Sequence, residues 1–114
     1  MKKSDKKIEN TLRESLTDVC SQLLDNVAGF KWLTHFVNYS DFPGSLSIIC
    51  IFESRAELSN MLDSDKHDYL LALIKNELKA VGIPLHNVHK QVSFDTEEAC
   101  NEQHDGKWNR RFSE

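Results

Sequence analysis

Five histidines, three cysteines and several neighbouring carboxylates are the side chains here with the chemistry to bind metal or attack a substrate. His86 and His89 are three apart in a segment of strand character, a spacing that aims the two rings at opposite faces, so they do not chelate together. His35 and His67 belong to other segments, and the bland reading of all of them is surface or half-buried imidazoles without a metal. A cysteine nucleophile needs a base nearby and an accessible, electropositive setting. Cys20 instead lies on an apolar helical stripe and Cys50 inside an apolar strand, which reads as core packing. Cys100 stands beside Glu97, Glu98 and Glu102, whose charge disfavours a thiolate.

The paired carboxylates Asp63 and Asp65, and Glu97 and Glu98, sit where helices begin, and acids there cap the backbone and meet the helix dipole. Glu77 interrupts an apolar stripe and either pairs with a base or marks the edge of that stripe. Glycine occurs only as isolated Gly29, Gly44, Gly82 and Gly106, so no loop cradles a phosphate. No catalytic, cofactor-binding or metal-ligating residue is assigned, and the chain is expected not to be an enzyme.

One cluster has the composition of a nucleic-acid contact, namely Lys107, Trp108, Arg110 and Arg111, where an indole stacks on bases and the cations neutralise phosphates. Lys2, Lys3, Lys6 and Lys7 form a second basic end. The bland alternative is that Trp108 and Phe112 belong to an amphipathic tail folded back over a sheet. The formal net charge of −4 argues against a strong overall attraction to polyanions, which need a positive field.

The elements that must position these residues follow from hydrophobic periodicity. Ile8, Leu12, Leu16, Val19, Cys20, Leu23, Leu24 and Val27 fall within an arc of roughly 160° at about 100° per residue, an amphipathic helix closed by Gly29. Glu9 and Arg13 fall in the same arc, so the first turns are expected to project past the core. The period then changes to two over 32–39 and again over 46–52, with Asp41-Phe42-Pro43-Gly44 as the turn of an antiparallel hairpin. Both alternating sets of the second strand are apolar at its centre, as in an interior strand covered on both faces.

Ser54-Arg55-Ala56-Glu57 has capping-box form and starts a helix, which Asp63-Ser64-Asp65 break or kink near residue 64. Its second portion carries Leu70, Ile74, Leu78 and Val81 and ends at Gly82. A third strand is predicted from His86 to Phe94, and a short helix from Asp95-Thr96-Glu97-Glu98 to His104, ended by Gly106. The fold class is therefore α+β, in the order α-β-β-α(α)-β-α, with a three-stranded sheet packed by two main helices.

At 114 residues, with 39% apolar and 28% charged side chains, residues 1–114 suit a single domain with flexible ends near 1–6 and 107–114. Three widely spaced cysteines suit a reducing cytoplasm. The start MKKSDKKIEN is positive but lacks the apolar stretch of a signal peptide, and no run of about 18 apolar residues predicts a membrane span.

The runs Phe30-Lys31-Trp32-Leu33-Thr34-His35 and Asn38-Tyr39-Ser40, with Phe94-Asp95-Thr96-Glu97-Glu98 and Gly106-Lys107-Trp108, resemble short uncharacterised bacterial proteins, some labelled Fis-family transcriptional regulators. The resemblance implies a DNA-associated role and transfers no site residue, and the predicted strands depart from an all-helical helix-turn-helix. The element order is also similar to that of the bacterial type of KH domain, which implies RNA gripped by a GxxG loop. The corresponding junction here reads Leu62-Asp63-Ser64-Asp65-Lys66, without glycine. By elimination the leading expectation is a small protein-interaction module, partnered by another protein or by itself as a homodimer. The alternative is a nucleic-acid-associated regulator using its basic ends.

Overall fold

In the computed structural model, which describes residues 2–113, the apolar stripe of the N-terminal segment becomes a 24-residue helix, α1 (Lys3–Asn26). Leu12, Leu16, Val19 and Leu23 are buried along it, at one-turn spacing, each burial being worth about 1.5–3 kcal/mol. Before Leu12 the helix is more open, with Ile8 only packed against the rim of the core, as expected for first turns that project outward. Val27 is already extended. Gly29 takes positive φ two residues later, in the turn into the sheet, rather than capping the helix itself.

The sheet has the order β1-β2-β3, built from β1 (Phe30–Phe36), β2 (Ser47–Phe52) and β3 (Val92–Thr96). β1 and β2 form the expected antiparallel hairpin, whereas β2 and β3 run parallel. A parallel neighbour requires a crossover, supplied by α2 (Arg55–Leu62) and α3 (Asp65–Ala80). The break between these two helices falls at Ser64, whose side chain accepts from the Lys66 backbone N–H. Ser54 caps α2 by accepting from the Glu57 N–H at 3.2 Å. The Glu57 carboxylate accepts from the Ser54 hydroxyl.

Strand boundaries differ from the sequence-based expectation. β1 stops at Phe36, and Tyr39–Asp41 forms a 3-10 turn because the Asn38 side chain accepts from the Ser40 N–H while Ser45 bonds both the N–H and the carbonyl of Asn38. Residues 88–91 are a helical turn, α4 (Val88–Gln91), so the third strand begins only at Val92. The cause is Gln91, which is buried. Its side chain donates to the Pro43 and Leu46 carbonyls at 3.0 and 3.1 Å and accepts from the Asn87 N–H at 3.0 Å. His86 and His89 are thus exposed on a bend and a turn, and the opposite-faces argument for them lapses with the strand.

At the far end α5 (Glu97–His104) starts at Thr96, which accepts from the Ala99 N–H at 3.0 Å. Asp105 and Gly106 carry positive φ after it. The segment expected to be loose at 107–114 contains a further helical turn, α6 (Trp108–Phe112), and regular structure at the other end reaches back to Lys3. Aromatic side chains give α6 its place on the sheet, as described below.

The two faces of the sheet differ. Leu33, His35, Ile48, Cys50, Phe52, Val92 and Phe94 point inward by alternation, and the apolar members of this set belong to the main core with α1 and α3. Register is irregular between Phe30 and Trp32. That bulge sends Phe30 into the core against Phe52, at 5.9 Å between ring centroids, while Trp32 stays on the outer face. No helix among the described residues is long and apolar enough to cross a membrane.

Candidate interaction surface

Outward-facing residues fall into cross-strand rows. Trp32, Ile51 and Asp95 are register partners in one row, Thr34, Ile49 and Ser93 in the next, and Phe36 and Ser47 in the last. The first row is covered. Ile51 is fully buried, and Trp108 of α6 meets Trp32 edge to face with centroids 5.1 Å apart. Phe112 continues the stack, 5.2 Å from Trp108 on one side and 5.2 Å from Phe36 on the other.

Polar contacts fix this cover in place. Glu97, the first residue of α5, accepts from the indole N–H of Trp32 at 2.6 Å and from that of Trp108 at 3.2 Å. Arg111 donates to both oxygens of Asp95 on β3, at 2.6 and 2.9 Å, and to the Gln103 side chain at 2.7 Å. A bidentate guanidinium–carboxylate pair at the margin of the core is among the stronger polar contacts a small domain makes.

The aromatic-plus-basic cluster therefore divides. Trp108 and Arg111 are turned onto the sheet and occupied there, while Lys107 and Arg110 are exposed on α6. Trp108 and Phe112 pack as a folded-back tail would. The junction between α2 and α3, where a GxxG grip would sit, is a tight serine-capped turn flanked by exposed Asp63 and Asp65.

The cover reaches the last row only at Phe36, through Phe112, and leaves the middle and last rows partly open. Phe36 is 46% exposed, Ser93 is exposed, and Thr34, Ile49 and Ser47 are half-buried. None of these five is charged, so the open part of the sheet is apolar and hydroxyl-bearing. The sequence reading missed this surface. Its signal was the alternation of Trp32, Thr34 and Phe36 in β1, an uncharged set with two aromatics on the face opposite the main core.

The residues weighed for chemistry are dispersed. Cys50 is buried, and its thiol is pushed up to about 12 by desolvation and then by the neighbouring Cys20. Cys20 is also raised by burial, partly offset by a backbone hydrogen bond from Leu33. Cys100 is raised first by burial, with Arg111 pulling down and Glu97 and Asp95 pushing up. A thiol held protonated makes a poor nucleophile. Glu77 is half-buried, and its backbone carbonyl accepts from Ser15 at 3.4 Å. No group of three or more histidine, cysteine or acidic side chains with metal-binding proximity occurs among the described residues.

Glu9 and Arg13, the two charged residues inside the apolar arc of α1, face the sheet rather than the main core. Glu9 bridges His35, at 3.1 Å from its Nε2, and the Tyr39 hydroxyl. Burial first, and then Glu9 and Asp5, push the Tyr39 phenol up to about 12. Arg13 lines a groove of about 330 Å³ between α1 and β1. Comparison with protein-family models, with curated proteins and with solved structures finds no match, so the surface is read from its own geometry.

Proposed function

We propose that this chain is a non-enzymatic interaction module that associates with a second copy of itself through the open rows of the sheet's outer face. The observation that carries this reading is Phe36, a large aromatic 46% exposed within an uncharged patch that also contains Thr34, Ile49 and Ser93. An isologous contact sets each residue of a patch near its own copy or its neighbours' copies, so a patch without charge meets itself without like-charge repulsion. Ile49 of the central strand lies between the hydroxyl side chains of Thr34 and Ser93, with Phe36 at one corner of the patch.

The test is light scattering coupled to size exclusion on the wild type and on Phe36→Asp. A dimer at micromolar concentration that becomes a monomer in Phe36→Asp, with unchanged circular dichroism, supports the reading. A wild type that stays monomeric into the high micromolar range, or a dimer indifferent to Phe36→Asp, removes it.

A nucleic-acid-associated role is the second reading, favoured by Lys107 and Arg110, both exposed and without an ion pair among the described residues. Fluorescence anisotropy with a short single-stranded oligonucleotide at low salt tests it. Binding that weakens with salt and with Arg110→Gln supports it, and no binding at low salt ends it.

A further inference from the structure

The groove beside β1 adjoins the open sheet face and shares Thr34 with it. Its walls come from α1 and β1. Leu16, Cys20 and Leu33 give it an apolar floor, with Arg13, Thr34 and His35 around them. At about 330 Å³ its volume falls at the small end of the range of small-molecule sites.

Arg13 makes no ion pair with a carboxylate of the described residues. The reason is local. Its natural helical partner is Glu9, one turn earlier, but both oxygens of Glu9 are taken on the sheet side, by His35 at 3.1 Å and by the Tyr39 hydroxyl. A guanidinium is thereby left at the groove without a counter-charge, and its planar fork of donors matches a carboxylate or a phosphate. The remaining choices follow from the lining. His35 already faces Glu9, so Arg13 is the single uncommitted cation, which suits a monoanion better than a phosphate dianion. The apolar floor asks for a hydrocarbon or aromatic body next to that charge.

We propose that the groove between α1 and β1 binds a small amphipathic carboxylate, its charged end on Arg13 and its apolar body over Leu16, Cys20 and Leu33. The groove shares Thr34 with the patch proposed for self-association but contains neither Phe36 nor Ile49, so Phe36→Asp alters that patch and leaves the groove lining intact.

The test uses the full chain labelled with 15N and titrated with benzoate, with benzyl alcohol as the uncharged match and inorganic phosphate as the anion lacking an apolar body. Saturating shifts from benzoate confined to residues 13–21 and 33–35 are expected. Benzyl alcohol and phosphate should bind at least about tenfold more weakly, and Arg13→Gln should weaken benzoate by about tenfold, corresponding to one lost charge-assisted contact. Arg13→Lys should retain part of the affinity. Benzoate should also slow alkylation of Cys20 by iodoacetamide. Shifts that do not saturate, or benzoate affinity equal in wild type and Arg13→Gln, would overturn the proposal. Equal affinity for phosphate and benzoate would overturn the amphipathic part. Repeating the titration on Phe36→Asp separates the two proposals, because groove binding should persist there whatever the oligomeric state.

Discussion

Trp32 of β1 and Trp108 of α6 stand edge to face at 5.1 Å and donate their indole N–H groups to the same carboxylate, that of Glu97. Each indole takes its own oxygen of that carboxylate, Oε1 for Trp32 and Oε2 for Trp108. Glu97→Gln offers one acceptor and turns an amide N–H₂ toward the second indole. A loss of about 1–3 kcal/mol in urea unfolding is expected, with a red shift of tryptophan emission as α6 loosens. Unchanged stability and emission would mean that α6 is held by ring contacts and Arg111 alone.

Gln91 is the polar group that replaces the expected strand with a turn. Gln91→Leu leaves the Leu46 carbonyl and the Asn87 N–H without their partner and should cost about 2–3 kcal/mol. Gln91→Glu should cost more at neutral pH, because a carboxylate cannot donate to the Pro43 and Leu46 carbonyls. Part of that loss should return as pH falls and the acid regains a proton to donate. Chemical denaturation at two pH values checks both, and a Gln91→Glu variant as stable as wild type at pH 7 would contradict this account.

Gly29 and Gly82 share a positive φ, of +84° and +81°, yet alanine should act differently at each. A Cβ at Gly82 meets nothing within 4 Å, whereas at Gly29 it would come 2.6 Å from the Glu57 Cβ. Gly82→Ala should cost only the left-handed backbone, about 1–2 kcal/mol. Gly29→Ala adds a clash with the capping residue of α2 and should exceed it by at least about 1 kcal/mol. Paired urea melts decide, and equal costs would show that Glu57 moves aside freely.

Alkaline pH should unfold the protein through Cys50 and Tyr39. Both hold their protons more tightly in the folded state, with folded values of about 12 against reference values of 9.0 and 10.0. Groups of this kind contribute stability that is complete below the reference pKa and is lost as pH rises toward the folded one. Stability should therefore decline from about pH 9 toward pH 12. Relative to its own stability at pH 8, Cys50→Ala should decline less between 9 and 10, and Tyr39→Phe less above 10. Slopes identical to wild type in both variants would place the alkaline sensitivity elsewhere.

How much of this could be read from the chain itself depends on the range of the interaction. Leu12, Leu16, Val19 and Leu23 declare α1 by their spacing, and the alternation in β1 and β2 declares a hairpin, because both periods are properties of a local backbone and its covered face. Ser54 and Ser64 announced helix starts for the same reason, each cap being completed within three residues, whereas α5 is capped by Thr96, one residue after the Asp95 that the capping-box pattern indicated. Tertiary contacts decided the rest. The side chain of Gln91 reaches carbonyls more than forty positions away, and that contact turned a predicted strand into a helical turn. Arg111 has the chemistry of a phosphate ligand but is held by Asp95, and Glu9 and Arg13, which in sequence indicate only that the first turns project past the core, are set apart by the commitment of Glu9 to His35 and Tyr39. A charge is visible in a sequence, but its partner is chosen by the fold, and whether a cation remains available to a ligand depends on that choice.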